Sequence, residues 1–117
     1  MTFDWKEYLI LAQFLITPNE NFTSEAALRS ATSRAYYAAF CHARNYAQLR
    51  LGFIPTKSDR DHGDLINYLH RKGKSNIADA LDDMRDWRND CDYDDAVFQL
   101  TIKATNTIKN AHKVFEG

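Results

Sequence analysis

The sequence predicts an all-α fold, a four-to-five-helix up-and-down antiparallel bundle filling residues 1–117 as a single domain. Three observations predict it. Apolar residues recur at steps of three and four in every long segment. No segment alternates apolar and polar residues as a half-buried strand would. Breakers at Pro18, Gly52, Pro55 and Gly73 cut the chain into helix-length pieces joined by short connections.

Each element follows from its own pattern. Phe3 to Ile16 carries Trp5, Leu9, Ala12, Leu15 and Ile16 on one side, and Thr17-Pro18-Asn19 stops it. Thr23 or Ser24 suits the cap of a second helix, which meets no breaker until Gly52. Alanines at 26, 27, 31, 35, 38, 39, 43 and 47 make that helix smooth enough for close neighbours, which places it at the centre. Gly52 to Asp61 is the one long loop. A short third helix carries Leu65, Ile66 and Leu69 and ends near Gly73, and a fourth runs from Ser75 to Asp90. The fifth, starting after an Asp94-Asp95 cap, buries Val97, Leu100, Ala104, Ile108, Ala111 and Phe115.

Composition excludes several classes. The 44% hydrophobic and 26% charged residues suit a soluble globular protein, and no apolar run approaches the ~20 residues that span a bilayer. The first seven residues lack the basic-then-apolar order of a secretory signal. Cys41 and Cys91 are far apart in sequence, so a reduced, cytoplasmic setting is the simplest expectation. The net charge of −1 lacks the basic excess of a duplex-binding protein. Charge is nevertheless uneven: seven basic residues face three aspartates over 44–74, whereas eight aspartates face Arg85 and Arg88 over 75–95. Asp79, Asp82, Asp83, Asp86 and Asp90 read as one solvated helix side rather than a metal site. Neither a metal site nor a cofactor is expected: there is no HExxH, paired-cysteine, Gly-rich phosphate-loop or nucleophile-elbow pattern.

One residue breaks the pattern. Ile77, Ala80, Leu81, Met84, Arg88 and Cys91 fall on one helical stripe, so Arg88 stands where an apolar residue belongs. A guanidinium there cannot shed its proton and needs carboxylates, carbonyls or a ligand. Pairing with Asp92 or Asp94 at the rim is one solution, and a ligand-facing site is the other.

Ser33-Arg34-Ala35-Tyr36-Tyr37-Ala38-Ala39-Phe40 on the long helix, a His-bearing third helix, and Arg88-Asn89 leading to Asp92-Tyr93 resemble the HEPN domains of prokaryotes over almost the whole chain. The resemblance implies a bundle that dimerises with the Arg motifs of two subunits facing one cleft. It also implies metal-independent ribonucleases of toxin–antitoxin and antiviral systems, or non-catalytic members that bind nucleotides or partner proteins, among them a small nucleotidyltransferase. The catalytic members carry Arg, then His after four to six intervening residues. Here Arg88 and the polar Asn89 match, but Tyr93 stands at the first allowed His position, and none of His42, His62, His70 and His112 lies five to seven residues after an arginine. An unperturbed phenol near 10 is a poor proton acceptor at neutrality.

The candidate catalytic residues are therefore Arg88, Asn89 and Tyr93, and the candidate ligand-binding residues Arg34, Tyr37, His42 and Arg88. Tyr36 and Tyr37, being adjacent, are expected to face different ways. Arg34 and His42 either join Arg88 at a cleft or form a polar edge, with His42 packed, and His62 reads as a surface or capping residue. Three functions stay open: a weakly active or non-catalytic HEPN-like protein binding RNA, a nucleotide or a partner protein such as an antitoxin; a ribonuclease using Arg88, Asn89 and Tyr93 with a histidine from another helix; and a pure protein-interaction module. A homodimer through the second and fourth helices is expected, because Leu28, Tyr36, Tyr37, Phe40, Tyr46 and Leu49 point in nearly every direction from the long helix and a small bundle leaves some uncovered.

Overall fold

The computed structural model describes residues 3–17 and 24–117, and among these the regular elements are all helices. They are α1 (Lys6–Leu15), α2 (Ser24–Tyr46) continued by a π-helical turn (Ala47–Leu51), α3 (Arg60–Arg71), α4 (Ser75–Tyr93) and α5 (Leu100–Glu116). Side-chain contacts fix their directions. Arg44 lies over Trp5 and Arg34 over Tyr8, so α1 runs antiparallel to α2. Arg29, early in α2, bonds the carbonyl of Cys91, late in α4, so this pair is antiparallel too. Lys103 pairs with Asp90 across α4 and α5. His42 stacks on Phe115, which brings the C-terminal parts of α2 and α5 together as parallel neighbours.

The central helix is α2, which touches α1, α4 and α5. Ala31, Ala35, Ala38, Ala39, Ala43 and Ala47 are all buried, and their small side chains let three helices approach it. Around them pack Leu9, Leu65, Leu69, Leu81, Met84 and Val114. The positions expected to leave an open patch on α2 are largely covered within one subunit: Tyr36 and Phe40 are buried, Leu28, Tyr37 and Tyr46 half-buried, and only Leu49, at 81%, stands open.

Boundaries differ from expectation where tertiary bonds intervene. Phe3 and Trp5 precede α1 and form a cluster of edge-on rings with Tyr8 instead. Ile16 is exposed rather than buried, while the stop at Pro18-Asn19 and the cap at Thr23 lie outside the described residues. The end of α2 widens into its π turn because Phe53 N–H returns to Ala47 O at 3.1 Å and the Tyr68 hydroxyl donates to Leu51 O at 2.5 Å. Gly52, at φ 83°, closes that turn in a conformation open to glycine at little cost. α4 runs one turn beyond Asp90, to Tyr93, and α5 starts only at Leu100, not after Asp95. Arg29 accounts for the end of α4, since its guanidinium bonds the carbonyls of Cys91 (2.8 Å), Asp94 (2.6 Å) and Asp95 (2.9 Å), while Gln99, at φ 55°, takes a left-handed conformation that precedes the start of α5. Arg29 serves as the C-terminal cap of α4 and holds 94–95 as a linker.

Candidate functional site

The site is built where α2, α3 and α4 meet. Arg88 is on the buried stripe of α4, only 7% exposed, as its spacing requires. Its guanidinium lies 5.3 Å from the Tyr36 ring centre and 5.2 Å from that of Tyr37. The two tyrosines were expected to face apart, but their rings meet edge-on at 5.4 Å and both serve as a platform for the cation. The ion pair with Asp92, one of the two expected partners, is real but long: Nη1 to Oδ2 is 3.4 Å, and Ser33 Oγ reaches the same oxygen at 3.5 Å. Among the described residues Arg88 makes no other hydrogen bond, and its Nε is the one sealed side-chain nitrogen or oxygen without a partner. A guanidinium carries five N–H donors, so this one is far from satisfied.

His62 was expected at the surface or as a cap, yet it enters this cluster from α3. Half-buried, it stacks on Phe40 at 4.2 Å and on Tyr36 at 5.6 Å. The Tyr36 hydroxyl bonds its Nδ1 at 2.5 Å. Burial raises the Tyr36 phenol well above its usual range, and the pull of Arg88 and Arg85 in the other direction is smaller. Tyr36 is buried and makes no other hydrogen bond among the described residues, so its protonated hydroxyl is satisfied only by donating to Nδ1, which puts the neutral imidazole's own proton on Nε2. Burial, and after it Arg88 and Arg85, hold His62 below its ordinary value against the opposing pull of Asp59 and Asp61. A clasp fixes the start of α3: Asp61 accepts bonds from Thr56 N–H (2.8 Å), Thr56 Oγ1 (2.6 Å) and Lys57 N–H (2.9 Å). Burial alone would raise that carboxyl, but these bonds together keep it low.

The other candidates are spread out. Asn89 is half-buried beside Arg88 on α4. Tyr93 is 75% exposed at the end of α4 and lines a shallow pocket with Glu25, Arg29, Asp94 and Asp95. Arg34 is exposed, holds Tyr8 at 5.4 Å, and borders an open groove with Arg29, Ser30, Ser33 and Asp92, so it stands next to the Arg88–Asp92 pair. His42 is packed on Phe115 at 4.2 Å, apart from this cluster, and burial lowers its affinity for a proton. Among the described residues no group of three or more His, Cys, Asp or Glu is arranged to hold a metal, and no helix is long and apolar enough to cross a membrane.

The sequence did not place Arg29, Phe40, His62 or Arg85 at the site, although Phe40 stands in the Ser33–Phe40 run; His62 reads as a surface or capping residue. Spacing carried a signal for two of them: Arg29 continues the Ser33, Tyr36, Phe40 stripe one turn back, and Arg85 lies one turn before Arg88. His62 marked the third helix, but its contact with Tyr36 depends on how the 52–59 loop folds. Comparison with protein-family models, with curated proteins and with solved structures finds no match.

Proposed function

We propose that this chain is a HEPN-like protein that holds RNA or a nucleotide by a phosphate at Arg88, as one half of a toxin–antitoxin or defence pair in the cytoplasm. Binding, rather than brisk catalysis, is its main task. The observation that carries this reading is Arg88 itself, a buried cation resting on Tyr36 and Tyr37 whose one hydrogen bond among the described residues is a long one from Nη1 to Asp92, at the edge of the open groove lined by Ser33, Arg34 and Asp92. Burying a charge so incompletely is costly for a purely structural residue and suits a waiting anion site. Two copies facing each other would join two such sites in one cleft. Tyr93 and Phe98, 75% and 78% exposed near the end of α4, support an interface there.

A short 2′-O-methyl oligouridylate, which cannot be cleaved through its own 2′-hydroxyl, tests the reading by fluorescence titration. Arg88-dependent binding, lost in a folded Arg88→Met protein, is the expected result. Equal binding by the folded variant would overturn it. An adjacent gene for an antitoxin or a small nucleotidyltransferase would support the pairing.

One observation favours the second reading, a metal-independent ribonuclease: His62 is a titratable group beside the tyrosines that carry Arg88. Its tautomer weighs against the role of base, because neutral Nε2 already carries the proton. Cleavage of an unmodified oligoribonucleotide is therefore expected to be slow and indifferent to EDTA. Rapid cleavage that EDTA abolishes would exclude both readings.

A further inference from the structure

We propose that His62 is a second ligand-contacting residue of the Arg88 site, donating from Nε2–H to the same anionic phosphodiester, and that occupancy of the site draws a proton onto its ring. The proposal rests on the reading of Arg88 as an anion site and adds to it a donor from another helix.

Its geometry comes from three sides. On α2, Tyr36 fixes Nδ1 and Phe40 stacks flat against the ring at 4.2 Å, with Tyr37 edge-on at 6.1 Å. On α4, Arg88 lies over both tyrosine rings, and Arg85 Nη1 comes within 3.6 Å of where a Cβ on Gly63 would sit, next to His62 in the chain. From its own side, Asp59 and Asp61 are the acidic groups that act on it. The imidazole is thus held in orientation, and Tyr36 sets its tautomer while the ring is neutral. Arg88 Nε is the one sealed, unpartnered side-chain atom among the described residues, so His62 Nε2, which has no hydrogen bond there, keeps access to solvent.

Arg88 and His62 are packed against the same two tyrosine rings, so a guanidinium and an imidazole N–H belong to one cluster. A phosphodiester offers two non-bridging oxygens, one for each donor. Before the ligand arrives, burial and then the two guanidiniums oppose a positive charge on His62, so the ring favours its neutral form at pH 7. A bound phosphodiester offsets that field, and the ring takes its second proton at Nδ1, where Tyr36 turns its hydroxyl from donor to acceptor; the imidazolium is then the better donor. Affinity then rises as pH falls, because the bound state holds the proton more tightly than the free one.

Histidine-ring NMR of the whole protein, with the 2′-O-methyl oligouridylate as probe, tests this. That probe keeps a constant charge across the range used. The His62 signals are assigned as those missing from His62→Gln. The free protein is expected to show the Nε2–H tautomer, and saturating probe should move the His62 titration midpoint upward. Wild-type affinity should increase about fivefold between pH 7.5 and 5.5, with no such change in His62→Gln. Arg88-dependent binding that leaves the His62 midpoint in place would overturn this inference and leave the Arg88 reading intact. A probe that binds neither near Arg88 nor near His62 would overturn both. Because the ring measurement uses the wild-type protein, a misfolded variant cannot mask the result.

Discussion

Methionine has nearly the reach of the arginine stem and none of its charge, so Arg88→Met separates what the residue does for the fold from what it does for a ligand. In a structural ion pair, losing one partner strands the other and costs about 3–5 kcal/mol. Asp92 is exposed enough to be solvated alone, whereas Arg88 Nε is sealed and, among the described residues, unpartnered. The variant is therefore expected to keep its stability, or gain about 1 kcal/mol, while losing oligonucleotide binding. Urea unfolding checks the first half, and a loss comparable to a core deletion would mean that the arginine is structural. Acid gives a second residue-scale test. His62 and His42 both hold protons less tightly in the fold than the ordinary value of 6.5, first because of burial. The unfolded chain then binds more protons in that window, so stability is complete above about pH 6.5 and declines as pH falls through the folded values. The urea midpoint should drop from pH 7.5 to 5.5, and by less in His62→Gln. A midpoint that rises over this interval would contradict the burial of both rings.

The elements were legible as far as their own periodicity decided them. The stripe from Ile77 through Arg88 to Cys91, the alanine-lined α2 and the register of Ala104, Ile108 and Ala111 follow from spacing alone, because each is one helix reading out its own buried face. What failed belongs to contacts between elements. α4 outruns its expected end because a side chain 62 residues away from Cys91 takes the terminal carbonyls, and α5 starts late behind a left-handed Gln99. The same dependence hid His62, which reaches Tyr36 only because the Asp61 clasp and the Gly52 turn orient the loop before α3. Arg29→Ala tests the capping claim at this scale. Three carbonyls lose a charged donor, which is expected to cost about 2 kcal/mol and to raise amide exchange in the last turn of α4 more than elsewhere. Because Asp92 sits on that turn, oligonucleotide binding should weaken as well. Unchanged exchange over residues 91–95 would show that the turn stands without Arg29.

Across the whole molecule, most exposed large apolar side chains gather in two places, around α1 (Phe3, Ile10, Leu11, Phe14 and Ile16) and near the end of α4 (Tyr93 and Phe98), and the second adjoins the Arg88–Asp92 pair. The exposed flank of that helix carries Asp79, Asp82, Asp83 and Asp86, and Asp86 has its affinity for a proton raised by burial and then by Asp82, Asp83 and Asp90. A two-fold contact along that flank would place like charges together. Near the C-terminus of α4 the surface changes: Asp90 is matched by Lys103, Arg29 is bonded to carbonyls, and Tyr93 and Phe98 stand open. A contact there can bury two aromatic side chains per subunit, and each is a large apolar payload. It also lies within one turn of the Arg88–Asp92 pair, so the repulsion of two guanidiniums across the axis would be met by Asp92 and Asp94 from each copy. The expected state at micromolar concentration is a homodimer, sedimenting at twice the 13.5 kDa of one chain. Replacing Tyr93 and Phe98 together by Ser should shift it toward monomer and weaken oligonucleotide binding in parallel, with the helical content unchanged. A wild-type protein that sediments only as the 13.5 kDa species would refute the shared cleft, and the Arg88 site would then have to act within a single subunit.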